Sequence, residues 1–130
     1  MKTLLKLILL STFLFSTPPG DELGIMDNKG LMIVKIYSSW SDDHYFDDEG
    51  ISDYLNELKD CGTCQIKVKE IENSKASSFV RSKRIRNFPS IVVIFDSKVK
   101  EIYKADIEGY LEVSKSELES DIKKMVASRF

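Results

Sequence analysis

The pattern with the clearest chemistry in this chain is a pair of cysteines separated by two residues. Cys61 and Cys64 enclose Gly62 and Thr63, and they are the only two cysteines among 130 residues. The Cys-x-x-Cys spacing is that of a redox dithiol, in which one thiol becomes reactive when its surroundings lower its pKa. Cys61 and Cys64 are therefore the candidate redox pair, and in an oxidising compartment we expect a disulfide between them.

A second polar group, Ser41-Asp42-Asp43-His44, contains a hydroxyl and the single imidazole of the chain. A serine hydroxyl is a weak nucleophile unless a positioned base activates it. His44 is close in sequence, but no third group that would orient it can be read from the residues alone. Ser41 and Asp42 are better suited to capping the start of a helix.

Acidic residues continue as far as Glu49, and oxygen ligands at this density could hold a hard divalent cation. Their spacing lacks the alternating acidic pattern and the distal glutamate of a calcium-binding loop. With one His and two Cys, a four-ligand zinc site would also need carboxylates. We therefore predict no metal and no other cofactor. A metal or hydrolytic site at residues 42–48 is the third functional interpretation, after the two given below.

The elements that must position these residues alternate between strand and helix. Short apolar runs predict buried strands, alternation of apolar and charged residues predicts half-buried strands, and spacing of three and four residues predicts helices. The predicted order is strand 31–37, helix 51–58, strand 66–71, helix 73–80, strand 90–95, strand 101–104 and helix 114–126. Strand–helix–strand units favour parallel pairing and the late strand pair favours antiparallel pairing, which predicts a mixed sheet with helices on both faces.

The N-terminal segment has the pattern of a secretory signal peptide. Lys2 and Lys6 are its only charges, and the apolar run 7–15 is shorter than the about 20 residues that cross a bilayer. Small residues follow, so we predict a signal peptide over residues 1–17 and a folded domain over residues 21–130. The protein is then secreted, lumenal or periplasmic. If the segment is instead the first element of the domain, a cytoplasmic location follows.

Composition narrows the range of partners. Apolar residues make up 42% and charged residues 31% of the chain, a balance that excludes wholesale disorder. The net charge is −2, so there is no general positive field to attract nucleic acid. We expect a monomer with a polypeptide or protein partner, without nucleic acid and without an integral membrane span.

The element order and two landmarks resemble the thioredoxin-fold family. The first strand runs into Tyr37-Ser38-Ser39-Trp40, and Arg84-Ile85-Arg86-Asn87-Phe88-Pro89-Ser90 leads into the second apolar strand. In thioredoxins an aromatic turn with Trp stands directly before the reactive Cys-x-x-Cys, and a later Ile-Arg-x-x-Pro-Thr segment carries a cis proline packed against that motif. Trp40 and Pro89 match these landmarks. The resemblance implies a thioredoxin-like α/β fold, with a mixed central sheet and helices on both faces.

The departure from the family lies directly after Trp40. Ser41-Asp42-Asp43-His44 stands where the family has Cys-x-x-Cys, so the resemblance implies a degenerate active site. In the family this end of the sheet receives extended peptide, which makes Trp40, Ser41, His44, Phe88 and Pro89 the expected binding residues. The main functional interpretation is therefore a thioredoxin-domain protein without the usual dithiol, acting in the secretory pathway as a binding or structural module for polypeptide.

The second interpretation is a thiol–disulfide oxidoreductase or redox sensor that uses the displaced Cys61–Cys64 pair. Residues 65–88 are fewer than the roughly 30 that a strand–helix–strand unit takes, so the pair cannot occupy the usual position before Pro89. It is expected at the C-terminal end of the first helix, at the opposite end of the sheet from Pro89, where the helix dipole disfavours a thiolate. A structural disulfide, a redox-active pair and two free thiols all remain open.

Overall fold

A computed structural model describes residues 21–39 and 50–128 of the chain. These residues form strands and helices in the order β1 (Leu31–Tyr37), α1 (Ile51–Asp60), β2 (Ile66–Glu72), a 3-10 turn (Asn73–Ala76), α2 (Ser77–Ser82), β3 (Ser90–Phe95), β4 (Lys98–Tyr103) and α3 (Lys115–Ala127). Within these residues, no helix has the length and apolar character needed to cross a membrane.

The strands form one mixed sheet in the order β2-β1-β3-β4. β1 pairs with β2 in parallel, as expected for strands joined through a helix. β1 and β4 both pair with β3 in antiparallel orientation. The predicted combination of parallel and antiparallel pairing is confirmed.

Alternate residues of the central strands β1 and β3 point to opposite faces of the sheet, because side chains alternate along a strand. On one face the strand residues pack with α1 and α3, and they are Leu31, Ile33, Ile91 and Val93. On the other face they pack with Leu23 and with Phe79 of α2, and they are Met32, Val34, Ile36, Val92 and Ile94. Burying each such side chain contributes roughly 1.5–3 kcal/mol. These two layers place helices on both faces of the sheet, as predicted.

Strand β4 begins earlier than the pattern predicts. The expected strand 101–104 is observed as Lys98–Tyr103. Asp96 and Ser97 have φ angles of 48° and 68°, and two successive residues with positive φ form the tight turn that joins neighbouring antiparallel strands. The lysines at the start of β4 lie on an edge strand, where charged side chains do not interfere with strand pairing. They do obscure the apolar–polar alternation by which a strand is recognised in the sequence.

Side chains cap the starts of α3, the 3-10 turn and α2, from a neighbouring position in two cases and from a distant one in the third. Ser114 accepts a hydrogen bond from the Glu117 N–H at 3.2 Å, as its sequence pattern predicts. The segment predicted as helix 73–80 is not capped by its own first residues. Glu72 caps the 3-10 turn by accepting from Ser74, a bond that lowers the pKa of Glu72. Glu22, far away in the chain, accepts from the first N–H groups of α2, with a distance of 2.8 Å from the Phe79 nitrogen.

Tyr103 connects β4 to α3. Its hydroxyl donates a hydrogen bond to Asp121 Oδ2 at 2.6 Å, and its carbonyl accepts one from Ser90 Oγ at 3.0 Å. Burial raises the pKa of Tyr103, and the hydrogen bond to the Asp121 carboxylate raises it further. The neutral phenol is therefore the form that the folded protein favours.

This raised pKa predicts a stability loss in alkali. The Tyr103 contribution is fully present below the unfolded pKa of about 10 and is lost as the pH rises above it, because an unfolded tyrosine then releases its proton more readily than the folded one. Tyr103→Phe should cost about 1.5 kcal/mol at neutral pH, since it removes a hydrogen bond to a carboxylate. The variant should also show a smaller decrease in the free energy of unfolding as the pH rises above about 10. Urea unfolding at several pH values measures both effects, and Tyr110→Phe, which should leave both unchanged, is the control.

Candidate functional site

The two cysteines occupy the turn between α1 and β2. The Cys61 N–H bonds the Leu58 carbonyl at 3.3 Å and closes the last turn of the helix. The Cys64 N–H bonds the Cys61 carbonyl at 3.4 Å, which folds the next residues into a tight turn. Gln65 has a φ of 55° and redirects the chain into β2. The end of the amphipathic helix and the start of the strand thus hold the two side chains next to each other.

Cys61 and Cys64 are joined by a disulfide, with a Cα–Cα distance of 5.5 Å. The predicted disulfide is confirmed. Both cysteines are half-buried, and Gly62 and Thr63 between them are exposed, so the bond lies at the surface. The Thr63 hydroxyl is 3.7 Å from Cys61 Sγ, within hydrogen-bonding range of a sulfur atom.

A cavity of about 380 Å³ adjoins the disulfide, and Cys61 is the cysteine of the pair that lines it. Its walls also include Lys29, Lys59 and Lys67. Positive charges near a cysteine favour its thiolate form, whereas the C-terminal end of a helix opposes it. Around Cys61, the helix end therefore disfavours the thiolate, whereas the three lysines favour it.

Pro89 lies at the other end of the sheet. It precedes Ser90, which pairs with Ile36 near the end of β1, and the Phe88–Pro89 peptide bond is cis. The disulfide precedes Ile66, which pairs with Leu31 at the start of β1. A strand rises about 17 Å over the interval from residue 31 to residue 36. The structure therefore separates the cysteine pair from Pro89, in agreement with the sequence argument.

The remaining predicted site residues are not brought into this site. Pro89 is buried, and Phe88 is a partly buried side chain that packs against the α2-side core. Trp40, Ser41 and His44 lie outside the described residues, as does the rest of the acidic segment. Within residues 21–39 and 50–128, no group of three or more His, Cys, Asp or Glu side chains is placed to hold a metal ion.

Comparison with known proteins relates this chain to others through its structure alone. No protein-family model and no curated protein matches the sequence. Among solved structures, a Fasciola hepatica thioredoxin matches with a TM-score of 0.56 at 16% identity, covering 79% of this chain and 88% of that one. A Malassezia sympodialis thioredoxin matches with a TM-score of 0.55 at 11% identity, covering 78% and 79%. A mutant thioredoxin of Entamoeba histolytica matches with a TM-score of 0.51 at 16% identity, covering 83% and 91%.

These structural matches confirm the thioredoxin-like α/β fold and correct the main functional interpretation. The interpretation as a binding or structural module for polypeptide, without the usual dithiol, is wrong, because a Cys-x-x-Cys pair at disulfide distance is present on this fold. The error came from tying redox function to the position beside Pro89. Disulfide chemistry needs only two sulfurs within bonding distance and access for a partner thiol. The cysteine spacing itself was the signal that pointed to this site.

Proposed function

We propose that the protein is a thiol–disulfide oxidoreductase that acts on polypeptides through Cys61 and Cys64. The observation that carries the proposal is the disulfide in an accessible turn, with one of its two sulfur-bearing residues lining a cavity. Exposed disulfides are the ones that exchange readily with other thiols, whereas structural ones are shielded. The thioredoxin-like fold and the Cys-x-x-Cys spacing support the same conclusion.

The size of the ring argues against a purely stabilising role. A disulfide restrains the unfolded chain more when it closes a longer loop. Cys61 and Cys64 are three residues apart, so the loop is among the shortest that a disulfide can close. The domain already has two buried cores, one on each face of the sheet, so it does not depend on cross-links as a very small domain would.

In the reduced protein, Cys61 is the attacking residue because it lines the cavity. Its thiolate attacks one sulfur of a substrate disulfide; the substrate S–S bond breaks, and the leaving thiolate takes up a proton. Cys64 then loses its proton and attacks the Cys61 sulfur of the mixed disulfide, which forms the Cys61–Cys64 bond and releases the second substrate thiol. Two electrons pass from protein to substrate, and an external dithiol must return them for turnover.

Thr63 is the positioning residue of this reaction. Its hydroxyl lies close enough to Cys61 Sγ to donate a hydrogen bond to the thiolate, which favours the charged form. Lys59, in the last turn of α1, adds a positive charge where the helix dipole is unfavourable. We also propose, from the apolar pattern of residues 1–17, that the reaction takes place outside the cytoplasm.

Reduction of insulin disulfides in the presence of dithiothreitol tests this function. The wild-type protein should accelerate the reaction, and Cys61→Ser/Cys64→Ser should reduce the rate to that of dithiothreitol alone, with an unchanged circular dichroism spectrum. Iodoacetamide provides a control without mutation. It should inactivate the reduced protein, whereas the disulfide should protect the oxidised protein. Equal acceleration by the wild-type and the double variant would disprove the proposal.

A further inference from the structure

The cavity beside the disulfide is positively charged and is here called the basic groove. Three exposed lysines line it, namely Lys29, Lys59 and Lys67, and the described residues that line it include no carboxylate. Its remaining surface includes Ile66, an apolar residue that is only partly buried. The whole chain has a net charge of −2, so this cluster is a local reversal of the overall charge rather than part of it.

The lysines come from three separate segments. Lys29 lies in the loop before β1, Lys59 in the last turn of α1, and Lys67 at the second position of β2. Like charges gathered at one cavity repel each other unless an anion lies between them. The Cys61 thiolate that attacks the substrate carries a single negative charge, so three lysines leave positive charge available for a ligand.

The wall that carries Lys29 is held in place by hydrogen bonds. Asn28 is buried, and its Nδ2 donates to the Gly30 carbonyl at 3.0 Å. The Gly30 N–H donates to Asp96 Oδ1 at 2.7 Å, which engages the carboxylate of the β3–β4 turn. Ser97 Oγ lies 2.8 Å from the Asn28 carbonyl oxygen. The backbone beside the groove is therefore set before a ligand arrives, which lowers the entropic cost of binding.

We propose that the basic groove selects polypeptide substrates whose reactive cysteine is flanked by Asp or Glu. This inference rests on the proposed function, because the selected group is the disulfide that Cys61 attacks. A volume of about 380 Å³ lies at the lower end of the roughly 300–1,000 Å³ typical of ligand sites. It accommodates a few side chains of an extended acidic segment, with carboxylates at the lysines and the aliphatic parts of the segment on the partly buried Ile66.

Three peptides that differ only beside the cysteine test this selectivity. Each carries the same chromophoric thiol as a mixed disulfide, and the cysteine is flanked by Glu, Ser or Lys. The second-order rate constant with reduced protein is divided by the rate constant with dithiothreitol, which removes the intrinsic effect of the flanking charges. The Glu peptide should exceed the Lys peptide by about tenfold, because charge steering raises association rates by that order or more. The ratio should approach one at molar salt, where the screening length is about 3 Å.

Charge-reversal variants locate the effect. Lys29→Glu/Lys67→Glu should invert the ratio between the Glu and Lys peptides. Lys75→Glu is the matched control, since Lys75 is exposed on the 3-10 turn beyond the far end of β2 and should leave the ratio unchanged. Equal normalised rates for the three wild-type peptides, or an unchanged ratio in the double variant, would overturn this inference while leaving the proposed function intact. Failure to reduce even the Ser peptide would overturn both.

Discussion

Replacing Cys64 with serine is expected to trap Cys61 in a mixed disulfide with its substrate. In the wild-type protein the Cys64 thiolate attacks Cys61 Sγ and releases the substrate, whereas a serine hydroxyl cannot form the disulfide that completes this step. The reduced Cys64→Ser protein, mixed with a peptide disulfide, should gain the mass of a single peptide and release one equivalent of the leaving thiol. Mass spectrometry of the intact protein measures this adduct, which dithiothreitol should remove.

Cys61→Ser is the matched control for the trapping experiment. It keeps one cysteine of the same half-buried pair but removes the one that lines the basic groove. We expect it to form an adduct much more slowly than Cys64→Ser. Equal rates in the two variants would show that Cys61 is not the preferred attacking residue. No adduct in either variant would contradict the oxidoreductase function itself.

Ile33→Ala is expected to lower the free energy of unfolding by about 4 kcal/mol. Ile33 is fully buried on central strand β1, opposite Val68 of β2 and Val93 of β3, and it packs in the core beneath α1 and α3. The truncation removes apolar contacts and leaves a cavity that strands bonded on both sides cannot close. Such a loss is a large fraction of the about 5–15 kcal/mol that stabilises a typical domain. Urea unfolding measures it as a lower midpoint at an unchanged slope.

The same substitution at Ile107 provides the comparison. Ile107 is 90% exposed, so Ile107→Ala removes little buried surface and should change the free energy of unfolding by less than about 0.5 kcal/mol. A similar loss in both variants would mean that isoleucine truncation acts on the unfolded chain rather than on the core. A small decrease in the free energy of unfolding of Ile33→Ala would contradict the central position of β1.

Several features of the protein depend on short stretches of chain, and these followed from the sequence. The apolar runs of β1 and β3 begin and end where the pattern predicts, and Ser114 caps α3 through its own neighbour Glu117. The Cys61–Cys64 disulfide belongs to the same class, because a four-residue turn brings the two sulfurs together. The position of the pair at the far end of the sheet also followed, since it required only the chain length before Pro89.

Other features depend on residues that are distant in sequence, and no local pattern shows them. Glu22 caps α2 from the N-terminal end of the described chain, and Tyr103 at the end of β4 donates its hydrogen bond to Asp121 of α3. The start of β4 was missed because its pairing with β3, rather than its own alternating charges, decides where the strand begins. Hydrogen bonds and burial compensate for weak local preference in these places, and both arise only when the chain is folded.

The charge beside the disulfide also depends on residues that are distant in sequence. From its residues alone the chain shows a Cys-x-x-Cys pair, a thioredoxin-like element order and a net charge near zero, and each of these depends on residue identity and spacing. Only the folded chain brings Lys29, Lys59 and Lys67 from a loop, a helix and a strand to one cavity beside Cys61. The local charge at a site depends on which segments pack around it, and here that is determined by the packing of α1 and β1 against β2.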